Sequence, residues 1–222
     1  MSELKVTPGT QLWLIRHGET QWNVDQRVQG HLDVPLSDRG VEQACRLAAW
    51  LAEDRLDAVY SSDLQRARVT ADVLAEGRLP VWNDSRFREA HFGLFEGLTG
   101  PECHAAFPDE YQAWRSASIR FRPPHGETVE MLRERCMEAL AEHLPKHPGQ
   151  VVAVVCHGGP VRAMVCGLLE LPLEAYTRIR VENTSVARFN FTERGAMLTG
   201  FNDVSHLRAS AAAPAHAGWE EK

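Results

Sequence analysis

The stretch LWLIRHGETQWN, Leu12 to Asn23, starts as an apolar strand and ends with an arginine and a histidine set beside a glycine. Four apolar residues with no polar alternation are what a strand buried on both faces requires. The same pattern returns far down the chain. VVAVVCHGGPVRAMV, Val151 to Val165, opens with a second apolar strand, Val151–Cys156, that closes on His-Gly. Two distant strands that end alike predict one pocket, because ligands of open α/β sheets gather at the carboxyl ends of the strands.

Between these strands the pattern alternates. Ser37 reads as a helix cap, followed by Val41, Ala44, Leu47, Ala48 and Leu51 at helical spacing. Asp57–Ser62 reads as a strand, and Asp63–Glu76 as a helix with Leu64, Ala67, Ala71 and Leu74 on one face. Pro80–Trp82 reads as a third strand. From Glu89 to Pro124 the pattern breaks into Gly, Pro and scattered aromatics, which predicts an irregular lid rather than sheet core. Thr128 caps a helix presenting Val129, Leu132, Cys136, Ala139 and Leu140. Pro160 suits the first turn of the helix after the second apolar strand. Ser185–Phe191 and Ala196–Phe201 read as an antiparallel hairpin, whose outer strand is free to pair with a second copy.

The expected fold is therefore α/β: a three-layer sandwich, its central sheet mostly parallel with helices on both faces, carrying a small lid subdomain. The expected organisation is a single domain over residues 1–208, with the lid at about 90–126 and a disordered tail from 209 to 222. A chain of 222 residues, 44% hydrophobic and 24% charged, suits this plan. A net charge of −6 and a pI near 5.9 lack the basic footprint of a nucleic-acid binder. No apolar run reaches membrane-span length, and the first residues lack a signal-peptide core, so a cytoplasmic protein with neither membrane nor nucleic-acid partner is expected. Five cysteines without C-x-x-C spacing read as free thiols, Cys156 included.

The strand ends bring together Arg16, His17, Arg66 and His157. Two guanidiniums aimed at one place match the oxygens of a phosphoryl group. Gly18, Gly158 and Gly159 let backbone approach closely, and helix N-termini add N–H donors. A neutral imidazole there can attack phosphorus. Glu89 and Glu96, in RFREAHFGLFEG, are the candidate proton donors for the leaving oxygen. Taken singly, each of these residues reads more simply as structural: a strand-end histidine, a solvated arginine, a surface carboxylate. Zinc on the two histidines is disfavoured by the adjacent cations.

LIRHGET with Asn23, QGHLDVPLSDRGVEQA, VYSSDLQRARVTA, REAHFGLFEG, PPHGET and VVCHGG, in that order, resemble the histidine phosphatase superfamily, also called the phosphoglycerate mutase-like family. The resemblance spans the chain to about Phe201. It implies that His17 is the phosphorylated nucleophile, and that Arg16, Arg66 and His157 with Gly158 frame the phosphate. It further implies that Asn23 contacts phosphate, that Gln29 lies near the leaving group, and that Glu89 donates the proton. No metal and no cofactor is implied. Cys156 stands where Ser, Thr or Ala is commoner, and His125 replaces a glycine of the usual GGE loop, with Glu127 beside it. The expected activity is hydrolysis of small phosphorylated metabolites. The alternatives are a cofactor-dependent phosphoglycerate mutase, an α-ribazole phosphatase-like enzyme of cobalamin synthesis, or a binding protein with a dead site. The short segment before Pro124 and the absence of a Glu-Arg-His-Tyr-Gly motif favour the phosphatase. Phe92, Phe95, Phe107, Tyr111, Trp114 and Phe121 either line the pocket mouth or form the lid's own core. Trp22 and Trp82 read as packing residues.

Overall fold

The computed structural model describes residues 4–116 and 119–208. The tail expected to be disordered, 209–222, lies outside the described residues. Six strands form one sheet in the order β3-β2-β4-β1-β5-β6. They are β1 (Gln11–Arg16), β2 (Ala58–Ser61), β3 (Val81–Asn83), β4 (Val151–Cys156), β5 (Val186–Thr192) and β6 (Gly195–Asp203). The first four run parallel to one another, while β5 and β6 add an antiparallel hairpin beside β1. The two apolar runs thus become the two central strands.

Both faces are covered, which is why those runs carry no polar alternation. On one face Leu12, Leu14, Val152, Val154 and Phe189 pack against Leu132, Cys136 and Leu140 of α6 (Val129–His143), and against Val161, Met164 and Val165 of α7 (Gly158–Leu168). On the other, Trp13, Ile15, Val59, Ala153 and Val155 meet Leu47 of α2 (Asp38–Trp50), and Ala67, Ala71 and Leu74 of α3 (Gln65–Ala75). Ser37 and Thr128 cap α2 and α6 with their hydroxyls as expected, while Val41 is 40% exposed and stands off the buried face. Cys156 is fully buried between sheet and α6, where desolvation pushes its thiol up. Trp82, on the outer strand β3, rests on Tyr60 at 5.3 Å yet is 42% exposed, so it packs only in part. Among the described residues no helix is long and apolar enough to cross a membrane.

The segment between β3 and α6 is more ordered than its composition predicts. It holds α4 (Gly100–Ala106) and α5 (Pro108–Arg115), each with proline in its first turn, where the missing N–H costs nothing. Thr99 and Glu102 close a capping box on α4. The segment's aromatics turn towards one another. Phe95 is fully buried, 5.3 Å from Trp114 and 5.9 Å from Phe107, and Phe92 lies 5.6 Å from Trp114. Of the two readings of these rings, the local core is the one realised.

Candidate active site

Strands β1 and β4 are in register, Arg16 opposite Cys156, so the next residue of each chain segment lies beside its counterpart. The His17 N–H donates to the Cys156 carbonyl at 2.9 Å. The rings of His17 and His157 stand 5.1 Å apart, close to the roughly 4.8 Å spacing of neighbouring strands. Both are buried, at 3% and 0% exposure. A Cβ at Gly18 would meet the Gly40 carbonyl oxygen at 2.4 Å, so this turn towards α1 (Gln21–Val24) admits only glycine.

The two imidazoles differ in what their nitrogens do. The Nδ1 of His17 lies 2.6 Å from the Gly18 carbonyl, which can only accept. The proton is therefore assigned to Nδ1, and Nε2 keeps a free lone pair. The Nδ1 of His157 accepts from Arg66 Nε at 3.1 Å, so its Nε2 carries the proton and donates to Ser62 Oγ at 2.9 Å. Burial drives both rings well below the usual imidazole range, and Arg66 and Arg16 push the same way, so both are neutral near pH 7.

Arg66 is itself 1% exposed, and burial lowers its pKa to about 10. Besides His157 it donates to the carbonyls of Leu32 and Gly30 at 2.8 and 2.7 Å. Two of its five N–H donors remain. Arg16 donates to the Val181 carbonyl at 2.8 Å, while its Nε is buried without a partner. A buried orphan donor on a guanidinium marks a place for an anion. Asn23 Oδ1 caps α1 by accepting from Thr20, and the Asn183 amide donates to the His17 carbonyl at 3.0 Å. The Oε1 of Gln29 is also buried without a partner.

Glu89 reaches the same corner from the opposite side. Its carboxylate accepts from Ala90 N at 2.8 Å and from Gly159 N, in the first turn of α7, at 3.1 Å. A Cβ at Gly159 would fall 2.0 Å from Glu89 Oε1, so that glycine makes room for the acid. The segment bearing Glu89 is held by Arg135 of α6, which donates to the carbonyls of Arg86, Arg88 and Glu89 at 2.6, 2.8 and 2.8 Å. Arg135 is paired in turn with Glu127, which accepts from His91 N at 2.9 Å. Glu127 thus acts through Arg135. Glu96, the other candidate acid, spends Oε1 on the backbone N–H groups of His31 and Phe92, as loop scaffolding. His125 takes φ +62°, in the left-handed region that favours glycine, in the turn from Pro123 to Gly126.

Arg16, Glu89 and Gly158 border a cavity of about 400 Å³, whose other walls are Arg162 and residues 177–181. A larger hollow of about 1210 Å³, between residues 4–8, α6 and the β5–β6 hairpin, contains none of these groups. Sequence reasoning missed Arg135 and Asn183 and noted Ser62 only as a strand end. No local motif marks an arginine of a helix as the clamp of a distant carboxylate.

The family model described as the histidine phosphatase superfamily (branch 1) matches residues 12–204. The chain belongs to this superfamily. Phosphoglycerate mutase-like protein 4 of Arabidopsis thaliana is 38% identical over 200 residues, covering 87% of this chain and 85% of its own. Phosphoserine phosphatase 1 of Hydrogenobacter thermophilus is 34% identical, covering 88% and 93%. Among solved structures, Bacillus stearothermophilus YhfR superposes with a TM-score of 0.85 at 33% identity, covering 89% of this chain and 99% of that one. The relatives are named as mutase-like proteins or phosphatases, among them a glucosyl-3-phosphoglycerate phosphatase and an α-ribazole phosphatase of known structure.

Proposed function

We propose that the protein hydrolyses small phosphomonoesters through a phosphohistidine at His17. The observation that carries this reading is the Nε2 of His17, left free by the Nδ1 contact to Gly18, on a ring 5.1 Å from that of His157, with Arg16 and Arg66 beside it, neither of which meets a carboxylate among the described residues. In the first step Nε2 forms a bond to phosphorus and the ester P–O bond breaks. The leaving oxygen takes a proton from the protonated Glu89. The Gly18 carbonyl steadies the positive charge that appears on the ring. Arg16, Arg66 and the start of α7 face the oxygens of the transferring group. In the second step Glu89, now a carboxylate, takes a proton from water as the water oxygen attacks phosphorus. The N–P bond breaks, phosphate leaves, and both residues return to their starting states.

The cations supplied by the chain fill the role a metal would take, and no metal is required in this reading. Purified protein is expected to release phosphate from p-nitrophenyl phosphate with EDTA present. Full dependence on an added metal overturns the mechanism. The mutase reading is favoured by the name of the Arabidopsis relative. Against it stands the short span, two helices of seven and eight residues, available to keep water out. Formation of 2-phosphoglycerate from 3-phosphoglycerate faster than phosphate release decides for the mutase.

A further inference from the structure

We propose that His206 is a positioning residue for the nucleophile, acting through Thr184 and Asn183 on the peptide that joins His17 to Gly18; this rests on the phosphohistidine reading above. His206 lies on α8 (Ser205–Arg208), the short helix after β6. Its ring is 4% exposed and stacks on Trp50 of α2, centroid to centroid 5.4 Å. Its Nε2 is 2.9 Å from Thr184 Oγ1. That hydroxyl gives its own proton to the Asn183 carbonyl at 2.8 Å. Oγ1 therefore accepts from His206, and the proton is assigned to Nε2. Burial lowers the pKa of this ring to about 4, so it is neutral near pH 7. Its Nδ1 is buried without a partner. The bond to Thr184 is thus the one hydrogen bond that the ring makes among the described residues.

Thr184 is fully buried and takes φ +55°. A β-branched residue avoids that region and holds it only where its surroundings impose it. The strained turn serves the nucleophile directly. The Thr184 N–H is shared between the Arg16 and His17 carbonyls, at 3.0 and 3.3 Å. The Asn183 amide adds a second donor to the His17 carbonyl at 3.0 Å. The other side of that peptide is fixed too, since the Gly18 N–H donates to Thr70 Oγ1 at 3.1 Å. The next carbonyl, that of Gly18, holds His17 Nδ1, so a shift of this peptide turns the ring and re-aims Nε2. His157 needs no such support. Its carbonyl accepts from Val161 N at 3.1 Å, inside the first turn of α7. The turn around Thr184 is gripped from the hairpin as well: Asn202 Oδ1 accepts from Glu182 N, and Ser185 Oγ donates to the Glu182 carbonyl, both at 2.8 Å. Without the His206 N–H, Thr184 relaxes from φ +55° and its own N–H leaves the His17 carbonyl.

The test uses the full chain and p-nitrophenyl phosphate. His206→Phe keeps a ring against Trp50 and removes the N–H. It is expected to lower kcat, and the rapid-quench rate of phosphoenzyme formation, by about 10- to 100-fold. KM is expected to move by less than about threefold, because Arg66 and the start of α7 do not hang on this turn. His206→Gln restores a donor at the reach of Nε2 and is expected to return kcat to within about threefold of wild type. Thr184→Gly suits φ +55° without strain but has no hydroxyl to tie it to His206, so the same fall in kcat is expected in a folded protein. This variant decides the matter should His206→Phe fail to fold. The double variant is expected to lose no more than about twofold beyond either single one, since both cut one path. Orthovanadate, which bonds to the attacking nitrogen, gives a readout without turnover. By calorimetry it is expected to bind about tenfold more weakly to His206→Phe, with inorganic phosphate within about threefold. An unchanged kcat in a folded variant, a loss that glutamine does not restore, or equal vanadate affinity overturns the proposal. A wild-type enzyme that forms no phosphoenzyme counts separately, against the phosphohistidine reading, and the vanadate comparison still decides the role of His206.

Discussion

The ends of β1 and β4 have the same local sequence, a buried histidine followed by glycine, yet the two differ in the freedom of their atoms. His17 spends one nitrogen on its neighbour's carbonyl and keeps the other. His157 spends both, held between Arg66 and Ser62. The glycines differ likewise. Gly18, next to His17, abuts backbone, the Gly40 carbonyl, whereas Gly158, next to His157, has room for a Cβ and the glycine after it, Gly159, abuts the end of a side chain, Glu89. The motif alone does not distinguish the two rings; their hydrogen bonds do. On the proposed phosphohistidine reading, one end serves reaction and the other alignment.

The strongest way to break this comparison is to exchange the roles. His17→Ala is expected to lower kcat by about 10⁴-fold or more and to abolish an acid-labile phosphoenzyme. His157→Ala is expected to slow turnover while still yielding that adduct in rapid-quench experiments. A phosphoenzyme that persists without His17 and vanishes without His157 inverts the assignment.

The glycines sharpen it next. Gly159→Ala must displace Glu89, so kcat is expected to fall by about 10²-fold with little change in the denaturation midpoint. Gly18→Ala is expected to destabilise the fold by about 1–3 kcal/mol, because backbone cannot yield as a side-chain end does. Urea titration beside kinetics separates the two; the same loss of stability in both variants refutes the distinction.

The smallest effect is in acid. Both imidazoles are neutral in the folded protein and protonate near 6.5 when unfolded. The unfolded chain therefore binds more protons below that pH. Their contribution to stability is full above 6.5 and declines as pH falls, by up to about 1.4 kcal/mol per pH unit for each ring. Replacing His157 by asparagine is expected to flatten the decline of the urea midpoint between pH 7 and 5. A slope that does not change would mean that the ring is protonated when folded.

Much of this was legible in the chain. Val151–Cys156 became β4 without a residue's difference, because a fully apolar run bounded by turn residues has few other homes. Arg16, His17, Arg66 and His157 converge because parallel strands deliver their ends to one edge. The helices α4 and α5 were hidden by their prolines, which read as breakers yet sit in the first turn. Arg135 was hidden for another reason: its bonds to the Glu89 segment join residues 46 to 49 positions apart, and nothing local encodes them. His125 was flagged by its departure from glycine, and the backbone there keeps the glycine-like conformation regardless.

The one-to-one register of β1 against β4 has a consequence for how such an enzyme diversifies. The gap between the two rings follows from the repeat of the sheet itself, a length that no loop controls. On the proposed phosphohistidine reading, selection can then rework the covering helices and the lid, and so change the cargo, while the ruler that meters phosphorus against nitrogen stays constant.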